Sequence, residues 1–168
     1  MAEDDERWMR EALRVAEAGL GVGELPIGAV VVVGEEIVAE AHTAERREQR
    51  LLVHAEMLAL DNADHVLIGR RRQAKLYTTL EPCLGCLGAA MTVMIGTIVY
   101  ALGSASDGAA SFAVEWDKQR STQDFPAYAL PSIRGDVLAQ QSRALFARFV
   151  EQAEAGDPLA QWAQTLIR

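Results

Sequence analysis

Between Lys75 and Leu102 the chain runs strand, helix, strand with almost nothing in between, and this order constrains the fold more than any other feature. "KLYTTL" at Lys75–Leu80 is a strand. Cys83–Met94 is rich in Ala, Leu and Met and reads as a helix, and Thr97–Leu102 is a second strand. Strands that alternate with helices build a partly parallel sheet with helices on its faces. Upstream, "ELPIGAVVVVGEEIVAEAH" reads as a hairpin. Pro26–Val33 is an apolar, buried strand, Gly34-Glu35-Glu36 turns the chain and Ile37–Ala41 returns, so the sheet is mixed.

The remaining segments follow from periodicity and breakers. Asp4–Gly19 is helical, with Trp8, Met9, Ala12, Leu13, Val15, Ala16 and Leu20 near helical spacing. Thr43–Arg50 is a polar loop, and Leu52–Asp64 is a helix whose Met57, Leu58 and Leu60 suit burial. Gly103–Ser111 is a small-residue loop. Pro126 and Pro131 predict loops with at most a short strand across 112–131. A long amphipathic helix is expected over Asp136–Glu154 and a last one over Pro158–Ile167. The expectation is an α/β fold of three layers, α/β/α. With 168 residues, half of them apolar, it forms a single domain over 1–168.

Ligands of such sheets sit beyond the strand ends, where helices begin. Glu81–Cys86, "EPCLGC", lies at such a place and holds the only two cysteines of the chain. Pro82 suits the first helical position, because its missing N–H would be unpaired there anyway. Cys83 and Cys86 then share one helical face, and the partial positive charge of the helix start lowers thiol pKa. Four readings of the pair stand open: a dithiol redox motif, half of a structural zinc site, half of a catalytic one, or two buried thiols with no joint role.

His54 and Glu56, in "VHAEMLAL", shift the balance. His54 lies near the start of its helix, after a loop, as Cys83 does. Two such helix ends converge readily in a layered sheet. One His and two Cys make three ligands on a tetrahedral metal, which leaves a position for water. Of the other histidines, His42 is the better challenger as a fourth ligand, since His65 lies beyond the far end of the same helix. Glu56, two residues after His54, points elsewhere and makes an awkward ligand. It is nonetheless near enough to meet a water on the metal and move its proton. A glutamate in so apolar a segment needs a partner.

Charge and composition narrow the partners. The formal net charge is −8, with acid concentrated at Glu3–Glu6 and at Glu151, Glu154 and Asp157. Such a chain is repelled by phosphate backbones. Arginines at 46, 47, 50 and 70–72 keep nucleic acid open as a partner. Two cysteines three apart fit a reducing, cytoplasmic compartment. The start "MAEDDERWMR" is acidic where a secretory signal is basic and then apolar. Apolar runs such as Ile27–Val33 and Leu87–Ile95 are too short or too broken by glycine to cross a bilayer, so no membrane partner is expected.

H-x-E followed by P-C-x-x-C, here His54, Glu56, Pro82, Cys83 and Cys86, resembles the signature of the zinc-dependent nucleobase and nucleoside deaminases. "GELPIGAVVV", "LYTTLEPCLGCLGAAM" and "DGAAS" extend the likeness over roughly residues 5 to 112. They are similar to the branch that holds the bacterial tRNA adenosine deaminases, guanine deaminases and yeast-type cytosine deaminases. The helix "LAQQSRALFARFV" matches more faintly. The resemblance implies a cytidine deaminase-like fold with a mixed five-stranded sheet. It implies zinc on His54, Cys83 and Cys86, and Glu56 as proton carrier for water attacking a ring carbon that bears an amino group. It further implies a pocket lined by the backbone around Pro26, Ile27, Gly28 and Ala29 and by Glu81, and a homodimer. Where relatives carry a substrate-contacting asparagine this chain has Thr43, and Leu51-Leu52-Val53 replaces their D-P-T. The segment after Ala110 departs from the tRNA enzymes, and "GDPLAQWAQTLIR" carries no basic tail. The expected substrate is therefore a small-molecule nucleobase or nucleoside, purine-type favoured, with tRNA disfavoured. A dithiol oxidoreductase would need neither His54 nor Glu56. A structural-zinc module would need a fourth ligand.

Overall fold

In β1, Gly28–Val33, every residue is buried, which a strand achieves only when both of its faces are covered. The computed structural model, which describes residues 2–119 and 129–168, supplies both covers. On one side lie α1, Ala2–Gly21, with Trp8, Met9, Ala12 and Ala16, and α6, Ala139–Gln152, with Leu145, Phe146 and Phe149; Val30 and Val32 point to them. On the other lie α3, Ala55–Ala63, and α4, Leu84–Thr92, which bury Ala29, Val31 and Val33 with Ala59, Leu60, Leu87 and Ala90. Sheet and helices thus form the α/β/α layers.

The sheet has the order β2-β1-β3-β4-β5, with β2 at Glu36–His42, β3 at Lys75–Leu80, β4 at Thr97–Leu102 and β5 at Ser132–Arg134. β1 runs antiparallel to β2 and β3, while β3, β4 and β5 are mutually parallel neighbours, so the sheet is mixed and five-stranded. Gly28 faces His42, and Ala29 faces Thr78. The start of β1 and the ends of β2 and β3 therefore meet at one edge, where α3 and α4 begin.

Four differences from the sequence reading have physical causes. The loop over 43–50 contains one helical turn, α2 at Glu45–Glu48. Its free N–H groups are taken up by Glu24, whose buried carboxylate accepts from Arg46 N (3.0 Å) and Arg47 N (2.7 Å). α5, Ala110–Gln119, occupies part of the stretch read as irregular, held by buried Ala109 and Ala113. β5 follows Pro131 rather than preceding it, and Pro126 lies outside the described residues. α6 begins at Ala139, not Asp136, because Asp136 (φ 65°) and Leu138 (φ 58°) are left-handed. The last helix, α7, spans Pro158–Leu166 with Asp157 as its N-cap.

Candidate metal centre and its cavity

His54 and Cys83 occupy the same local position. Each is the N-cap of its helix, in extended backbone (φ −65°, ψ 151° and φ −69°, ψ 170°), and neither side chain caps its own helix. Both are thereby free to face the gap between α3 and α4. Pro82 lies just outside α4 rather than at its first helical position, and Cys86 falls in the first turn. The three donors converge: Nδ1 of His54 lies 3.4 Å from Sγ of Cys86 and 3.6 Å from Sγ of Cys83, and the sulfurs are 3.6 Å apart. A tetrahedral zinc at ordinary bond lengths spaces two sulfurs by about 3.8 Å and sulfur from nitrogen by about 3.6 Å. The donor set and its spacing fit zinc without rearrangement. Among the described residues this group has three members. His42 is not one of them; its Nδ1 donates to the Thr43 carbonyl (2.7 Å), and its ring packs on Gly19.

Glu56 is 3 % exposed. Oε1 accepts from the Thr78 hydroxyl of β3 (3.0 Å), and Oε2 lies 3.5 Å from Cys86 Sγ. The fixed oxygen leaves the other facing the metal donors. Burial pushes the Glu56 carboxyl upward. In the metal-free protein the Cys86 thiol, and then the His54 imidazole, stabilise Cys83 as a thiolate and hold it down to about 3. Cys83 and then Glu45 raise His54 to about 10, while Cys86 is pushed up by Cys83 and by burial. An incoming cation displaces the protons of His54 and Cys86, so loading is coupled to pH.

These groups open into a cavity of about 180 Å³. Of the pocket residues expected from the sequence, Ile27, Thr43 and Glu81 line it. Pro26, Gly28 and Ala29 do not. The Pro26 carbonyl and the Gly28 N–H are engaged by Thr79 Oγ1 (3.2 and 3.1 Å), and Ala29 packs under α3. Gly28 is a packing glycine: a Cβ there would stand 2.4 Å from the Ala16 nitrogen of α1. The Glu81 carboxylate is already committed, accepting from Ser104 N (2.9 Å) and Ala110 N (3.0 Å). Gly108 lies against it, where a Cβ would come within 2.3 Å of the carboxylate.

Sequence reasoning missed Glu45, Asp107, Leu159 and Trp162, which also line the cavity. Leu159 and Trp162 belong to α7, which roofs the site. Two contacts hold the roof: Trp162 Nε1 donates to Ser106 Oγ (3.2 Å), whose hydroxyl donates to Asp107 (3.0 Å), and Asp157 pairs with Arg46 (3.3 Å).

Fold and donor set together define a class, the zinc-binding deaminase domains. Residues 2–102 match the cytidine and deoxycytidylate deaminase zinc-binding region, and the chain belongs to that family. It is 44 % identical over 97 residues to the tRNA-specific adenosine deaminase of Bacillus subtilis, covering 57 % of this chain and 60 % of that protein. It is 35 % identical over 109 residues to the tRNA-specific adenosine deaminase of Streptococcus pyogenes, covering 64 % and 69 %. The chain thus spans less than two thirds of the Bacillus relative. Among solved structures, a tRNA:A34 deaminase studied for A-to-I editing at the wobble position superposes with a TM-score of 0.71 at 26 % identity, over 83 % of this chain and 98 % of the other. A guanine deaminase from Nitrosomonas europaea superposes at 0.66 and 20 % identity, over 86 % and 83 %. No described helix is long and apolar enough to cross a membrane.

Proposed function

We propose that this chain, as one domain over 1–168, is a zinc-dependent hydrolase that removes an amino group from a free nucleobase or nucleoside, purine-type favoured, and releases ammonia. The observation that carries the substrate class is the roof. Leu159 and Trp162 overhang a cavity of about 180 Å³, sized for one heterocycle, and α7 narrows the approach that an RNA strand would need. The lining points the same way. Among the described residues it contains Glu45, Glu56, Glu81 and Asp107 and no Lys or Arg, so it favours a neutral ring with hydrogen-bond donors over a phosphorylated substrate.

His54, Cys83 and Cys86 hold the metal. Zinc, when bound, supplies Lewis acidity that activates water. Glu56 takes a proton from the attacking water and delivers it to a ring nitrogen. It then passes the second proton to the departing amine, so that amine plus water become ammonia and an oxo-base. The Thr78 hydroxyl fixes Oε1 for this relay. Leu159 and Trp162 place apolar surface beside it.

Editing of adenosine in tRNA is the second reading, favoured by the names of the relatives at 44 % and 35 % identity. The basic rim it would use is partly paired: Arg46 with Asp157 (3.3 Å), and Arg47 and Arg50 with the single Glu48 (3.3 and 2.9 Å). A homodimer and a cytoplasmic location complete the proposal. Exposed Leu51, Leu52 and Leu84 beside the metal donors supply apolar surface for a second copy.

The experiment is ammonia release from each nucleoside beside its 5′-monophosphate. A phosphate within about 7 Å of a carboxylate costs about 1 kcal/mol at an effective dielectric of about 40. The monophosphate is therefore expected to lose on the order of tenfold or more in kcat/KM. Equal or better turnover of the monophosphate would overturn the reading of the pocket.

A further inference from the structure

His54 has two ring nitrogens, and only Nδ1 faces the sulfurs. Nε2 faces Glu45, whose Oε1 stands 3.5 Å away. We propose that Glu45 is a positioning residue: its carboxylate holds the Nε2–H of His54 and thereby keeps the imidazole in the tautomer and orientation that present the Nδ1 lone pair to the metal. The proposal rests on the zinc deaminase reading only in needing a metal at the three donors.

Glu45 is itself held from two directions. The Thr43 hydroxyl lies within donating distance of its Oε2 (3.1 Å) and of the Val53 carbonyl (3.3 Å), and its one proton goes to the nearer carboxylate. Thr43 is 1 % exposed and also lines the cavity. The backbone of α2, which starts at Glu45, is anchored by the buried Glu24 through the N–H groups of Arg46 and Arg47. A carboxylate held in this way, with a side chain only 22 % exposed, pays little entropy when it fixes a neighbouring ring. Ring orientation matters because a metal-bound histidine whose outer N–H is held by a carboxylate is both a better base and a fixed ligand. Removing such a partner weakens metal affinity by about 10–100-fold.

The test reads metal rather than turnover. Zinc affinity is measured by competition with a chromophoric chelator for the wild type, Glu45→Ala and Glu45→Gln, with melting curves as the control for folding. Glu45→Ala is expected to bind zinc about 10–100-fold more weakly. Glu45→Gln recovers most of the loss, because its amide oxygen still accepts from Nε2–H. Nitrogen-15 spectra of the zinc-loaded proteins should keep a protected Nε2–H on His54 in the wild type and Glu45→Gln and lose that protection in Glu45→Ala. Equal zinc affinity in all three proteins, or equally weak affinity in both variants, overturns the proposal. A raised KM with unchanged zinc affinity also overturns it, by making Glu45 a substrate contact. Because zinc binding needs no substrate, failure here is distinguishable from failure of the deaminase reading.

Discussion

Glu56→Gln is expected to keep zinc and fold and to lose about 10³–10⁴-fold in kcat. In the proposed mechanism one carboxylate serves both proton transfers, and Glu45, the other carboxylate at the donors among the described residues, faces the outer Nε2 of His54. Glu81 accepts two backbone N–H groups, and Asp107 accepts from the hydroxyls of Ser104 and Ser106. The amide fits the same space and keeps an oxygen for the Thr78 hydroxyl, but it cannot carry a proton. Stability moves in the opposite direction. Burial raises the Glu56 carboxyl, so the folded metal-free protein binds this proton more tightly than the unfolded chain does. Stability from that group is therefore full at low pH and is lost as pH rises above the unfolded value of about 4.3. At neutral pH the variant is free of that cost, and its metal-free form should melt no lower than the wild type. Elemental analysis, melting curves and ammonia release check the three parts together. Loss of zinc in Glu56→Gln would make Glu56 a ligand.

Cys83→Ala is expected to lose zinc and, with it, deamination. Four-ligand zinc sites bind with apparent energies of about 10–16 kcal/mol, or about 3 kcal/mol per ligand, so deleting one thiolate weakens affinity by roughly 10²–10³-fold. Cys83 is the better of the two sulfurs for this test. It is partly exposed, whereas Cys86 is buried, so Cys83→Ala is expected to disturb packing less than Cys86→Ala. If the variant instead kept stoichiometric zinc, the site would have to be drawn elsewhere. A Cys83–Cys86 disulfide forming readily in a metal-poor wild type would favour dithiol chemistry.

The residues that converge at the candidate metal centre are legible in the sequence because each lies in a short local motif. His54 and Glu56 open one helix, and Cys83 and Cys86 open another. Alternating strands and helices bring the two starts to the same sheet edge. What stayed hidden depends on distant contacts. α2 forms because Glu24, in a separate loop, satisfies its N–H groups. Trp162 meets the site through Ser106, 56 residues away in the chain, and no local pattern places α7 over the metal. Thr43 was noticed as a replaced asparagine, but its bond to Glu45 needed the one-turn helix to be seen first. Likeness places the backbone of Pro26 and Gly28 in the pocket, and the structure adds that Thr79 bonds the Pro26 carbonyl and the Gly28 N–H.

Ammonia release measured in parallel on adenine, guanine, cytosine, their nucleosides and a tRNA anticodon hairpin, at low and moderate salt, tests the central claim most directly. The predicted result is turnover of at least one free base or nucleoside at a rate independent of salt, with the hairpin left unchanged. Salt-sensitive deamination of the hairpin, weakened by neutralising Arg46, Arg47 and Arg50 and without turnover of any free compound, would contradict it.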